Sequence, residues 1–231
     1  MLQSSENFLL DRLPEPVRSA LAPVLIEIEL RQGDVLQEAG RPIAHVYFPL
    51  EGMVSLVAVT LAGESIETGI VGREGVVSGF LAAGGMPSFA QAIVQIAGRG
   101  LRAPAAIFRG LCDTYPQLRT EVDRYQAFVL LQAQQNVACH ALHSLEGRLC
   151  RWLLQSQELI ESDKIALTQE FLSYMLGVRR PTVSVAAADL QKDGLIQYHR
   201  GTINILDRDG LLRRSCQCFE VLHEGIRAHR A

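Results

Sequence analysis

The string LTQEFLSYMLGVRRPTVSVAAADLQKDGLIQYHRGTINILD, residues 167–207, decides the fold. Thr168 can cap a helix through its hydroxyl, and Phe171, Leu172 and Leu176 follow it at helical spacing. Gly177 ends that helix as a left-handed residue would. A second helix is expected over about 180–192, with Pro181 at its start, where a missing N–H does no harm. Gly194 stops it. Residues 195–198 and 202–206 then read as two short strands around the turn His199-Arg200-Gly201. Helix, glycine turn, helix and small hairpin make the layout of a winged helix-turn-helix.

The second helix divides into two faces. Val183, Ala187 and Leu190 share one side and can pack on Phe171, Leu172 and Leu176. The other side presents Pro181, Val185, Ala188 and Lys192, flanked by Thr182, Ser184 and Asp189. Small residues there would let the helix sink into a major groove. Arg179 and Arg180 stand at its N-terminal end, where the dipole favours anions. An arginine there can donate two hydrogen bonds to a guanine edge or pair with a phosphate. The candidate DNA contacts are therefore Arg179, Arg180, Thr182, Ser184, Val185 and Lys192, with Thr168 and Gln169 at the preceding helix. His199 and Arg200 join them in the wing, where a solvated turn is an equal reading.

Upstream of this motif the periodicity changes twice. Apolar stretches at 24–30, 44–50, 53–60, 67–71 and 91–97 are divided by glycine-bearing turns, as in an all-β roll. Residues 117–146 then contain neither glycine nor proline, enough for a helix of about 45 Å. Along it Leu118, Val122, Tyr125, Val129, Gln132 and Asn136 recur at three- and four-residue steps. This heptad-like seam is expected to pair with a second copy of the chain. The expected fold is α+β: a short N-terminal helix and antiparallel β-roll over 1–115, a dimerisation helix over 116–142, and a winged helix-turn-helix over 143–231.

Charge and cysteine content narrow the class. The net charge is −3, with 10 Lys+Arg against 14 Asp+Glu in residues 1–142 and 12 against 11 in residues 143–231. The C-terminal part is thus only mildly basic, and charge alone does not announce nucleic acid. The five cysteines all lie beyond residue 111 and form no CxxC pair. Cys216-x-Cys218 has no second pair near it in sequence, so reduced thiols without a metal are expected. There is no signal-peptide pattern and no apolar run of membrane-spanning length, so a soluble cytoplasmic protein is expected.

The order of roll, long helix and winged helix, with the string 167–207 as its most specific part, resembles the Crp/Fnr family of bacterial transcription regulators. The resemblance covers almost the whole chain. It implies a homodimer, a sensing domain of the cyclic-nucleotide-binding type, and double-stranded DNA with a two-fold symmetric operator as partner. In an activator it adds RNA polymerase; activator and repressor stay equally open. Arg180 matches the family's commonest base-reading arginine and Thr182 a phosphate contact. The best-known members carry Glu and Arg as further base readers, where this chain has Pro181 and Val185.

The sensor departs from the family pattern too. Cyclic-nucleotide binders resemble one another in a cassette running from a Gly-Glu pair to an Arg-Ser pair. Here Gly72, Arg73, Glu74, Gly75 and Ser88 occupy that stretch, and no arginine or lysine lies between Glu74 and Gly98. A buried phosphate would lose a charge-assisted bond worth roughly 1.5–3 kcal/mol. The usual cyclic-nucleotide mode is therefore not expected, and the effector is open. No cysteine precedes residue 112 to hold an iron–sulfur cluster, and His45 is the only histidine before residue 140 to serve a haem. No cofactor is expected. A metal-dependent cupin enzyme shares the roll but gathers several ligands inside it, so no enzyme activity is expected. A roll that binds a small ligand or a protein partner, without DNA reading, is the remaining alternative.

Overall fold

The computed structural model describes residues 6–230. Residues 1–5 and 231, the ends of the outermost expected domains, lie outside it. Two short helices lead in, α1 (Phe8–Asp11) and α2 (Glu15–Leu21), followed by a 3-10 turn at Ala22–Val24. Buried Asn7 pins them to the roll. Its Oδ1 accepts from Leu10 N at 3.2 Å, and its Nδ2 donates to Pro49 O and Gly75 O at 2.9 and 3.0 Å.

Seven strands form the roll: β1 (Ile26–Leu30), β2 (Val35–Gln37), β3 (His45–Pro49), β4 (Met53–Val59), β5 (Ser65–Val71), β6 (Gln91–Ile96) and β7 (Gly98–Pro104), with α3 (Gly79–Gly84) between β5 and β6. They pair antiparallel in two sheets, β1-β7-β3 and β2-β6-β4-β5. Five of them fall on the expected stretches. β2 and β7 do not. β7 reads GRGLRAP, with no apolar alternation, because its glycines serve close backbone approach: a Cβ on Gly98 would stand 2.4 Å from the Glu51 carbonyl carbon.

Helices α4 (Ala105–Thr114), α5 (Pro116–Leu142) and α6 (Leu145–Ile160) lead into the C-terminal part. There β8 (Lys164–Ala166), α7 (Gln169–Leu176), α8 (Arg180–Lys192), β9 (Ile196–His199), β10 (Thr202–Ile205), α9 (Arg208–Arg214) and α10 (Cys218–Arg230) follow. The wing has three strands in the order β8-β10-β9. In β8 only Ile165 is buried.

Two cores result. Val54, Val71, Val94 and Phe48 fill the roll together with Leu118, Val122 and Tyr125 of α5. Met53, Val57 and Ile70 face the other way, into a second core with Trp152, Leu153 and Leu159 of α6 and the helices beyond. This explains why β4 is buried on both faces instead of alternating.

The faces of α5 correct one expectation. Leu118, Val122 and Tyr125 lie in the roll's own core, Val129 packs against it, and Gln132 and Asn136 are buried in the same row. That seam is closed within one chain and is not open to a second copy. Gln132 lies beside the edge strand β5, where its Oε1 accepts from Ile70 N and its Nε2 donates to Ile70 O, both at 3.1 Å. One side-chain amide thus does for the sheet edge what a neighbouring strand would do. A second face, with Phe128 and Leu131, meets α10 at Gly225. The third carries Asp123, Ala127, Leu130, Gln134, Val137 and Ala141, all exposed.

One acid sits where the two cores meet. Glu67 of β5 is buried, and it accepts hydrogen bonds from Ser55 Oγ at 2.6 Å and Trp152 Nε1 at 2.9 Å. Desolvation pushes its carboxyl up from 4.5 to about 7, against those two donors and the positive charge of Arg151. The protonated form also fits: its O–H can donate to Ser55 Oγ, whose own hydrogen can turn to Met175 Sδ at 3.4 Å.

Both buried contacts can be tested through stability. Gln132→Leu leaves the Ile70 N–H and C=O buried without partners, a loss of roughly 1–3 kcal/mol for each in a chemical-denaturation midpoint. For Glu67, both folded and unfolded states hold the proton below pH 4.5, and only the folded state keeps it up to about pH 7. Stability therefore falls as pH rises through that window, by about 3 kcal/mol in all, and levels off above it. Glu67→Gln removes this slope when unfolding midpoints at pH 5 and pH 8 are compared.

Candidate nucleic-acid interface

The reading head is built by local chemistry. Thr168 Oγ1 accepts from Phe171 N at 3.3 Å and caps α7; Gly177, at φ +61°, closes it. The Gly177 N–H returns to Tyr174 O and the Val178 N–H to Ser173 O. The last carbonyl of α7, Leu176 O, accepts from the buried Arg148 of α6 at 3.0 Å. That charged clamp sets the turn, and α8 starts after the extended Arg179, with Pro181 in its first turn. Val183, Ala187 and Leu190 are buried as the spacing predicts, against a core that includes Leu172 and Leu176.

The outer face of α8 is bare. Arg180, Pro181, Thr182, Val185, Ala188, Asp189 and Lys192 are all exposed, and Val185 keeps 62% of its surface. An exposed valine on a helix otherwise lined by small and polar groups has no packing role in this chain. Ser184 is engaged inside the head: its Oγ lies 2.9 Å from Gln169 Oε1 and 3.0 Å from Arg180 O. Ser184 and Gln169 therefore lock α8 onto α7, and neither side chain is free to reach outward as expected. Thr168 Oγ1 accepts the cap bond, and the side chain stays exposed.

The wing turn is a two-residue loop. Thr202 pairs with His199, and Arg200 and Gly201 take φ +46° and +77°, as a type I′ hairpin needs. Leu167 N donates to Gly201 O at 2.7 Å, so the tip holding exposed His199 and Arg200 stands beside the start of α7. The head thus offers two separate groups of polar side chains, one at the N-terminal end of α8 and one at the wing.

The expected effector residues fare differently. A cavity of about 370 Å³ lies between the roll and α5, lined by Leu56, Val76, Phe80, Ser88, Val122 and Tyr125 among others, with no arginine or lysine in its wall. Of the expected set only Ser88 lines it, and its Oγ donates to Ala90 O at 2.6 Å. Glu74 is fully buried, and its Oε1 accepts from Gly72 N at 2.9 Å. Arg73 turns away, with its guanidinium 4.7 Å over the Phe8 ring and paired to Glu161. Gly75 is held by contact: a Cβ there would fall 1.9 Å from Tyr125 Cζ. Gly72, Arg73, Glu74 and Gly75 thus build the roll and do not line the cavity. Sequence reasoning misses Tyr125 and Gln126 of α5 as lining residues; their helical spacing is visible, but it points equally to a second copy.

Comparison with known proteins agrees with this layout. Residues 27–115 match the cyclic nucleotide-binding domain family and residues 147–214 the Crp-like helix-turn-helix domain. No curated protein matches the chain in sequence. Among solved structures, the chain is similar to a transcriptional regulator of the CRP/FNR family from Thermus thermophilus, at 24% identity and TM-score 0.68, over 82% of this chain and 98% of that one. It is similar to FixK2 from Bradyrhizobium japonicum at 17% identity and TM-score 0.69, over 84% and 98%. The c-di-GMP responsive regulator CLP of Xanthomonas campestris gives 14% identity and TM-score 0.68, over 83% and 99%. Among the described residues no helix is long and apolar enough to cross a membrane. This fold and these domains are those of transcription regulators, not of enzymes. With a sensing roll and a Crp-like reading head in this order, the chain belongs to the Crp/Fnr family of DNA-binding transcription regulators.

Proposed function

We propose that the chain works as a homodimer whose α8 enters the major groove of a two-fold symmetric operator, with Arg180 as its principal base reader. The observation that carries this reading is the exposed outer face of α8, with Arg180 at its N-terminal end and Val185 bare one turn after Pro181. Arg180 would donate to a guanine edge and Val185 would lie on a thymine methyl. Arg179, Thr182, Lys192 and the wing residues His199 and Arg200 would hold phosphates. Pro181 and Val185 carry no hydrogen-bonding group toward bases, so recognition leans on Arg180 more than in relatives with three polar readers.

The dimer would form on the exposed face of α5. Ala127, Leu130, Gln134, Val137 and Ala141 are spaced by three and four residues, and Leu130 and Val137 keep 54% and 72% of their surface. This is the a/d pattern of a two-stranded coiled coil, with one polar layer at Gln134. The effector, in turn, would be an uncharged or weakly polar molecule seated in the cavity under Tyr125, where hydroxyls and apolar walls are present and cations are not. Such a ligand would act by favouring one of two arrangements of α5.

Arg180→Ala should cost about 1–3 kcal/mol on an operator selected from random DNA and relax discrimination at one base pair. An equal loss on unselected DNA would make Arg180 a phosphate contact only. Leu130→Asp combined with Val137→Asp should give a monomer in sedimentation velocity, with the circular dichroism of the parent. A variant that still sediments as a dimer would move the interface elsewhere.

A further inference from the structure

One cluster of side chains belongs neither to the reading head nor to the cavity. Cys139 and His143 stand one helical turn apart at the end of α5. Cys216 lies in the link between α9 and α10, and Cys218 opens α10. Three sulfurs and one imidazole nitrogen from these residues all fall within 4.8 Å of one another. Cys139 Sγ is 3.5 Å from Cys216 Sγ, and Cys218 Sγ is 3.3 Å from His143 Nδ1. The sequence expectation of thiols without a metal rests on the lack of a second ligand pair near Cys216-x-Cys218. The fold supplies that pair from 77 residues away.

The spacing fits one shared atom. With zinc–sulfur bonds of about 2.3 Å, two sulfurs at tetrahedral positions stand about 3.8 Å apart. The 4.8 Å outer limit of the cluster is about 1 Å from that, within the reach of small side-chain rotations. An iron–sulfur cluster has its own bulk between its ligands and needs them farther apart. Three thiolates and a neutral imidazole around a divalent cation carry a net charge of −1. The positive charge of Arg151 acts on Cys139, and Arg148 lies in reach of the same sulfur. Gln135 Nε2 donates to Cys218 Sγ at 3.0 Å, the kind of outer contact that orients a thiolate ligand. Cys139 and Cys218 are buried while His143 and Cys216 are partly exposed, which leaves a path from solvent.

We infer that Cys139, His143, Cys216 and Cys218 form a Cys3His site for a single divalent metal of the zinc class. The metal would tie the end of the roll-bound helix α5 to α10. Because Cys216 N also donates to Gly147 O at 3.2 Å, the start of α6 is held in the same knot. This is where α5 of the sensor side passes into α6, so the metal would help fix the angle at which the two domains meet. Each thiol releases its proton to solvent as it ligates. The site stands on its own geometry and does not depend on which bases α8 reads.

The test is a titration of the full-length, reduced, metal-free protein with Co(II). One equivalent per chain should produce sulfur-to-cobalt charge-transfer absorption and the visible bands of tetrahedral cobalt, and Zn(II) should bleach them. Bound Zn(II) should raise the unfolding temperature and shield three of the five cysteines from alkylation. Cys216→Ser with Cys218→Ser should abolish the bands, while Cys112→Ala, outside the cluster, keeps them; circular dichroism checks that both variants are folded. Two results overturn the site: reduced wild-type protein that gives no thiolate–cobalt band, or bands that survive in the double variant.

Discussion

A 27-residue helix has only so much surface, and α5 divides its surface into three faces. One row of side chains closes the roll, from Leu118 to Gln132. A second meets α10, where Gly225 leaves room for Leu131 and Phe128. The third is exposed. Any rotation of α5 that improves one contact alters the other two. The wall of the cavity and the surface proposed for the second copy lie on the same rigid rod. A ligand pressing on Tyr125 would therefore act on the proposed dimer face without any chain of intermediate contacts.

The roll and the C-terminal part share a core that is mostly apolar but carries one polar knot, Glu67 with Ser55 and Trp152. An apolar contact alone permits many relative positions of similar energy, because the hydrophobic attraction has no directional preference. An indole N–H aimed at one carboxyl oxygen does not. The knot thus selects one docking of α6 on the sheet. With its carboxyl pushed up to about 7, Glu67 is close to half-ionised at pH 7, so ionisation adds charge at the place where the two parts meet. The closeness of Ile66 to Gly177, about 3.0 Å from where a Cβ would stand, puts the β4–β5 hairpin against the turn that precedes α8. In this arrangement the sensor touches the reading head directly.

How much of this is legible in the sequence depends on how local the cause is. The Thr168 cap, the Gly177 stop and the Arg200-Gly201 turn are set by neighbours within a few residues, and all three can be read directly. Strands β4 and β5 are visible from their apolar runs. β7 is not, since GRGLRAP takes its form from the strands on either side and the tight approach at Gly98. The row on α5 is visible, but the sequence assigns it the wrong partner. Heptad spacing states that a face is buried, and the apolar content of Leu118, Val122 and Tyr125 fits a roll as well as a second helix. The true exposed row, with its two alanines and a glutamine, is the weaker pattern. The Cys and His cluster is invisible for the opposite reason: each half is ordinary, and only the docking of α10 on α5 joins them.

The reading head shows the same economy. Ser184 and Gln169 look like outward-facing polar residues in the sequence, yet their bond holds α7 and α8 together, while Thr168 Oγ1 caps α7. That leaves few groups to meet DNA, and makes their placement strict. Arg180 sits in the first turn of a helix whose start is held by Pro181 and whose preceding turn is clamped through Leu176 O by Arg148. A single arginine can discriminate a base pair only if its backbone does not move, since a shift of about 1 Å breaks a bidentate pair as surely as removal. On the proposed reading, the rigid caps and the buried clamp are what would allow Arg180 to serve as the principal base reader.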